Sequence, residues 1–111
     1  MPYIMAMHTV IETPAYLRSA KSAGMSEDEM KEAVDAVSAD PASGDLIKGS
    51  GGCRKVRIAG RGKGKSGGYR VITFHVTSHG VFLLWVISKG RSANLTDAQV
   101  NELAKVVKAF A

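Results

Sequence analysis

Residues 53–88 decide the fold of this chain, and they read CRKVRIA (53–59), GRGKGKSGG (60–68), YRVITFHVT (69–77), SHG (78–80) and VFLLWVIS (81–88). The first run alternates the apolar Val56 and Ile58 with lysine and arginine, which predicts a strand with one core face and one cationic face. The third and last runs are almost continuously apolar, which is typical of central strands covered on both faces. The short turn between them predicts an antiparallel hairpin.

Helix signals lie on both sides of this region. A Thr-Pro pair at 13–14 and a Ser-x-x-Glu capping box at 26–29 predict two helices before residue 40. Thr96 predicts the N-cap of a C-terminal helix, and residues 3–12 predict a short first strand.

The chain has 111 residues, so we expect one domain over 1–111, with 1–7 as a loose extension. The predicted fold class is α+β, with a mostly antiparallel four-stranded sheet, two N-terminal helices and one C-terminal helix. The helices are expected on one face of the sheet and a basic surface on the other.

Charge is strongly segregated along the chain. Between Asp45 and Asp97 there are ten lysines and arginines and no acidic residue, so this window carries +10. The rest of the chain holds all ten acidic residues and five basic ones, a balance of −5 that leaves the net charge at +5. Such segregation favours a polyanion-binding surface over a basic face kept only for solubility.

Other classes of protein and site fit the composition poorly. A single cysteine excludes an internal disulfide and suits a reducing cytoplasm. No histidine or cysteine cluster has zinc-ligand spacing, so no metal is expected. No apolar run approaches the roughly 20 residues that span a bilayer, and the N-terminus does not resemble a signal peptide.

The candidate functional side chains are cations. Arg54, Lys55 and Arg57 on one strand and Arg70 on the next are expected to converge on one patch. A salt bridge is the alternative for Arg70, but it would need an acid from outside residues 46–96. The glycine-rich connection is expected to contact a nucleic-acid backbone through its cations rather than form a phosphate loop, because a strand follows it; these cations are Arg61, Lys63 and Lys65.

Three further positions are less specific. Lys89 and Arg91 follow the last strand, where a catalytic and a solubilising role are equally plausible. His75 alternates with apolar residues, which favours a packed histidine over a catalytic base. Cys53 has cationic neighbours, but a small, partly buried strand residue is the favoured interpretation.

The runs GDLIKGSGGCRKVRI (44–58), GRGKGKSGGYRVI (60–72) and FLLWVISK (82–89) resemble the HigB branch of the RelE-type toxins. This resemblance implies a microbial-RNase-like sheet that enters the ribosomal A site and cuts mRNA without a metal or cofactor. The ribose 2′-OH would attack its own 3′ phosphate, leaving a 2′,3′-cyclic phosphate and a 5′-OH. By position, the family's catalytic cations correspond to Lys55, Arg57, Arg70 and Lys89 or Arg91.

The resemblance also implies partners. These are the ribosome, mRNA and an antitoxin of the helix-turn-helix HigA type, with operator DNA contacted only through the toxin–antitoxin complex. Arg57 departs from relatives that have lysine there, and no tyrosine follows Leu95 to stack on a base. The general base therefore stays open between Lys55 and an ordered water, with His75 third. Two other functions remain: a ParE-like gyrase poison, and a noncatalytic RNA- or ribosome-binding module.

Overall fold

The computed structural model describes residues 8–59, 68–77, 79–88 and 95–110. Its elements in chain order are β1 (Val10–Glu12), α1 (Pro14–Ala23), α2 (Glu27–Ala39), β2 (Asp45–Leu46), β3 (Arg54–Ile58), β4 (Tyr69–Val76), β5 (Gly80–Ser88) and α3 (Asp97–Phe110). The α+β class and the three predicted helices are confirmed.

In the described residues the sheet has one strand more than the predicted four, and it is mostly antiparallel, as predicted. It has five strands in the order β1-β5-β4-β3-β2. All neighbours pair antiparallel except β1 and β5, which are parallel. The additional strand, β2, has only two residues and forms through its pairing with β3, so no local pattern announces it.

The predicted helix caps are confirmed in detail. The Thr13 hydroxyl accepts a hydrogen bond from the Tyr16 amide at 3.1 Å. Ser26 and Glu29 exchange the two bonds of the capping box, and Thr96 accepts from the amide of the third residue after it. Each cap satisfies amide donors that the first helical turn leaves unpaired, so the helices begin where the sequence predicts.

Helices cover both faces of the sheet, so the expectation that all three lie on one face is wrong. Helices α1 and α2 pack on the face that presents Val56, Ile58 and Val71. Helix α3 packs on the opposite face, over Ile72 and its neighbours. The strands β4 and β5 are apolar on both sides, and each side needs a cover that excludes water.

The N-terminal elements are tied to the last strand. The Thr13 hydroxyl donates to the Leu83 carbonyl at 2.8 Å, and the Val86 amide donates to the buried Ser19 hydroxyl at 3.0 Å. Strand β1 pairs with Val81–Leu83 in parallel. In the described part of the chain, no helix is long and apolar enough to cross a membrane.

Candidate nucleic-acid interface

Three of the predicted catalytic cations lie on one face of the sheet. Val56 and Ile58 are buried under α1 and α2, so Lys55 and Arg57, which alternate with them, belong to the other face. Arg57 pairs directly with Arg70 across the β3–β4 ladder, and Lys55 pairs with Ile72. Because directly paired residues share a face, Arg70 joins Lys55 and Arg57. We call this group of three the cation face.

Helix α3 covers only part of the same side of the sheet. Its residues Val107 and Phe110 pack against Ile72, Phe74 and Phe82. Lys55 and Arg70 are half-buried and Arg57 is exposed. The pair Arg57–Arg70 is one step from the end of the β3–β4 ladder, so the cation face forms an open strip beside α3.

The electrostatics of this strip are unbalanced. Two arginines directly opposite each other repel. The ion pairs found in the described part of the chain are Lys31–Asp35 and Lys105–Glu102, both exposed and neither involving the cation face. Nη1 of Arg70 is buried and has no hydrogen-bond partner. An unpaired buried guanidinium nitrogen is unfavourable.

Arg54 was expected to bind RNA beside these cations, but the structure places it on the other face. It pairs with Leu46 and Thr73, and Thr73 is buried. Its Nη1 donates to the carbonyl oxygen of Gly44 at 3.0 Å. Arg54 therefore links β3 to the residue before β2 and lies apart from Lys55 and Arg57.

The sequence reasoning missed one acidic residue at this site. Asp45 pairs directly with Lys55 across the β2–β3 ladder, so it lies on the same side of the sheet as the cation face. Its position at the edge of the acid-free window was visible in the sequence. Its register against Lys55 was not, because it depends on the pairing of a two-residue strand.

The remaining predicted site residues, Arg61, Lys63, Lys65, Lys89 and Arg91, lie outside the described residues. Their roles stay predictions.

A family model described as the RelE toxin of the RelE / RelB toxin-antitoxin system matches residues 8–111 of this chain. The chain belongs to the RelE toxin family. The match covers every described element of the fold, including the three strands that carry the cation face and Asp45. Membership in a toxin–antitoxin family implies an antitoxin as the partner of this RelE-family toxin.

His75 of this RelE-family toxin lies away from the cation face. It alternates with Phe74 and Val76, so it shares the α1 and α2 face of β4 with Thr73. Its ring packs edge-on against the ring of His8, with the centroids 5.7 Å apart. This contact supports the prediction of a packed histidine, and the sheet itself separates His75 from Arg57 and Arg70.

Cys53 has the buried structural position that the sequence favours. The side chain is fully buried beneath α3, and its amide donates to the Ser50 hydroxyl at 3.0 Å. Burial raises the pKa of the Cys53 thiol above its usual value of 9.0, and a hydrogen bond with Ser50 opposes this in part. A buried thiol with a raised pKa is a poor nucleophile.

An apolar groove of about 570 Å³ lies next to the cation face, between α3 and the start of α1. Ile72, Leu84, Trp85 and Leu103 contribute to its lining, and among the described residues no lysine or arginine does. Trp85 is 43% exposed there. With Glu102 at its rim, the groove is chemically unlike the neighbouring cation face and does not suit a phosphate.

Proposed function

We propose that this RelE-family toxin is a ribosome-dependent mRNA endoribonuclease of the HigB-like branch, which needs no metal or cofactor. The observation that carries the proposal is the convergence of Lys55, Arg57 and Arg70 on one open strip, where none of them forms an ion pair with a described acid. Nucleic-acid phosphates are the anions that such a strip attracts most strongly.

The cation face supplies the electrostatic part of an RNA transesterification. The ribose 2′-oxygen attacks its own 3′ phosphorus, the bond from phosphorus to the 5′ oxygen breaks, and negative charge builds up on the phosphoryl oxygens. Arg57 and Arg70 hold those oxygens. Removing one preorganised donor of this kind typically lowers the rate by about 100- to 1,000-fold.

The leaving 5′ oxygen needs a proton. Lysine side chains carry a proton at neutral pH, and Lys55 lies next to Arg57 along the same side of β3. In the proposed reaction Lys55 is therefore a proton donor, with Lys89 as the second candidate. Arg61, Lys63, Lys65 and Arg91 are proposed to hold the mRNA and ribosomal backbone.

The proposed setting is the cytoplasm, where a helix-turn-helix antitoxin of the HigA type holds the toxin inactive. Binding to operator DNA is proposed to occur only through the toxin–antitoxin complex. The antitoxin would act by covering the cation face or by blocking entry to the ribosome.

The test is to induce the chain in a bacterial host without any antitoxin and to map mRNA 5′ ends. We expect cuts within translated reading frames that need active translation and that Arg70→Ala removes. Lys31→Ala, which removes an exposed cation on α2, is the matched control and should cut like the wild type. Growth arrest with intact mRNA and a DNA-damage response would contradict the proposal and indicate a gyrase poison.

A second measurement separates cleavage from binding. In a cleaving enzyme, Arg70→Ala lowers the single-turnover rate on translating ribosomes far more than it lowers affinity. Loss of affinity alone, with no cleavage by the wild type, would indicate a noncatalytic binding module. A 2′-deoxy nucleotide at the cleaved position should block the reaction, because it removes the attacking oxygen.

A further inference from the structure

The proposed reaction needs a group that removes the proton of the 2′-OH, and the cation face does not supply one. Lysine and arginine side chains are protonated at neutral pH and so donate protons rather than accept them. An aspartate is ionised under the same conditions and accepts a proton. A base must also reach the 2′-OH while the arginines hold the adjacent 3′ phosphate.

Asp45 meets the positional requirement. It lies directly opposite Lys55 on the side of the sheet that carries Arg57 and Arg70. The Cβ atoms of directly opposite residues are about 4.5–5.5 Å apart, and diagonal neighbours follow at about 7–8 Å. The carboxylate is therefore a neighbour of Lys55 and is one step further from Arg57 on the same side of the sheet.

The position of Asp45 is held by its neighbours. Gly44 adopts a φ of 85°, and a Cβ at this position would collide with the carbonyl oxygen of Lys55. The absence of a side chain lets the chain approach β3 closely. On the opposite face, the Arg54 guanidinium donates to the Gly44 carbonyl oxygen at 3.0 Å. Arg54 is thus a positioning residue for the strand that presents Asp45.

Asp45 is also unengaged. Its side chain is exposed, and it makes no ion pair or hydrogen bond within the described residues. Asp35, by comparison, accepts from Lys31 at 3.1 Å on α2. A carboxylate kept only to neutralise Lys55 would be expected to contact it, whereas a base must be free for its substrate.

We infer that Asp45 is the general base of the reaction, an inference that rests on the proposed function. The Asp45 carboxylate takes the proton from the 2′-OH as the 2′ oxygen bonds to phosphorus. The bond from phosphorus to the 5′ oxygen breaks, and this oxygen takes a proton from the Lys55 ammonium. The products are a 2′,3′-cyclic phosphate and a free 5′-OH, and protons and charge balance over the two residues.

The experiment compares the full-length wild type, Asp45→Asn, Asp45→Glu and Asp28→Asn on translating ribosomes in single turnover. Asp28→Asn makes the same chemical change on α2, away from the cation face. Because general base catalysis typically contributes about 100- to 10,000-fold, we expect Asp45→Asn to cleave at least about 100-fold more slowly. Its half-saturating ribosome concentration and its thermal midpoint should match those of the wild type. Asp45→Glu, which restores a carboxylate, should recover part of the rate.

The outcomes separate the inference from the proposed function. If the wild type cuts and Asp45→Asn cuts equally fast, the inference is overturned and the proposed function stands. If Asp45→Asn loses affinity or thermal stability in proportion to its rate, Asp45 is structural and the inference is again overturned. If the wild type itself leaves mRNA intact, the proposed function fails and the inference fails with it.

Discussion

Arg70 combines an unfavourable position in the fold with a central place in the proposed site. Its guanidinium is opposite a second arginine, and its Nη1 is buried without a partner. An unsatisfied buried polar group in a folded protein calls for an explanation, of which a role in a functional site is one. The residue scale is therefore where the function of this toxin is most visible.

Replacing Arg70 by Met should separate stability from activity. Methionine keeps an apolar stem and removes both the repulsion and the unpaired donor, so we expect the free energy of unfolding to stay equal or rise by about 1 kcal/mol. Urea unfolding gives this quantity, and growth arrest reports toxicity, which should be lost. Arg54→Met is the matched control, because it removes the bond to Gly44 and should lower the free energy of unfolding by about 1 kcal/mol. A larger loss in Arg70→Met than in Arg54→Met would contradict this account.

Tyr16 is a second buried residue with an unsatisfied polar atom. Its side chain is fully buried and its hydroxyl has no hydrogen-bond partner. Burial, assisted by the negative charge of Glu12, raises the pKa of Tyr16 from 10.0 to about 12. Since ionisation is easier in the unfolded chain, the folded state loses stability as pH rises from 10 to 12.

Tyr16→Phe should remove this alkaline sensitivity. At neutral pH we expect its free energy of unfolding to equal that of the wild type or exceed it by about 1 kcal/mol. Between pH 10 and 12 the wild type should lose about 2 kcal/mol more than the variant. Urea unfolding across this pH range gives both values. Tyr69→Phe is the control. The Tyr69 hydroxyl donates to the Gly24 carbonyl oxygen at 3.3 Å, so this variant should have a lower free energy of unfolding at neutral pH. That decrease would show that the assay detects the removal of a hydrogen-bonding hydroxyl.

Some elements can be predicted from local sequence signals, whereas others depend on pairing in the assembled sheet. The Thr13-Pro14 start, the Ser26 capping box and the alternation in β3 are local signals, and each predicted its element. Strand β2 has two residues in a glycine-rich stretch, and β1 pairs in parallel with a strand 71 residues away. The first strand was predicted from its β-branched and apolar residues, but neither β2 nor the parallel direction of the β1–β5 pairing leaves a local pattern.

The site residues divide in the same way, into those that local alternation predicts and those that depend on strand register. Arg57 and Arg70 could be predicted to meet, because a short connection joins their strands and alternation gives the face. Arg54 follows the opposite alternation, so grouping it with Lys55 and Arg57 overlooked the period of the strand. Asp45 was absent from the predicted site because its partner is set by the register of β2, which the sequence does not reveal.

A glycine pair tests how tightly β2 is held. Gly44 and Gly24 have φ angles of 85° and 82°, but only Gly44 has atoms within 4 Å of an added Cβ. Gly24→Ala should lower the free energy of unfolding by about 1–2 kcal/mol through backbone strain alone. Gly44→Ala should cost about 1 kcal/mol more and reduce mRNA cleavage, because β2 must move away from β3. If urea unfolding shows that both variants lose the same free energy of unfolding, and cleavage is unchanged, β2 is not packed closely enough on β3 to fix the position of Asp45.

At the scale of the whole molecule, charge and apolar surface are kept apart. Positive charge lies on β3 and β4, whereas α2 begins with Glu27, Asp28 and Glu29. The apolar groove beside α3 is lined by none of the lysines and arginines that the structure describes. An RNA chain therefore meets a surface of very different potential depending on the side from which it approaches.

This arrangement predicts a salt dependence that can be divided among residues. For a single-stranded RNA oligonucleotide, each phosphate contact contributes about 0.7 to the slope of log K against log salt concentration. Arg57→Gln should reduce the slope by about 0.7, measured by fluorescence anisotropy. Lys31→Gln, on α2, should leave it unchanged. Equal reductions in the two variants would mean that net charge, rather than the cation face, governs binding.

The anchoring of α1 on β5 also sets an order of events during synthesis. Thr13 and Ser19 leave the ribosome early, but their partners Leu83 and Val86 are made 70 and 67 residues later. Until β5 has been made, α1 has no surface to pack on, and β4 lacks the neighbouring strand β5 in the sheet. Contacts this distant in sequence form late and slowly. Helix α1 therefore cannot dock on the sheet before Val86 has been synthesised, and the strands of the cation face stay outside a completed sheet until the same moment.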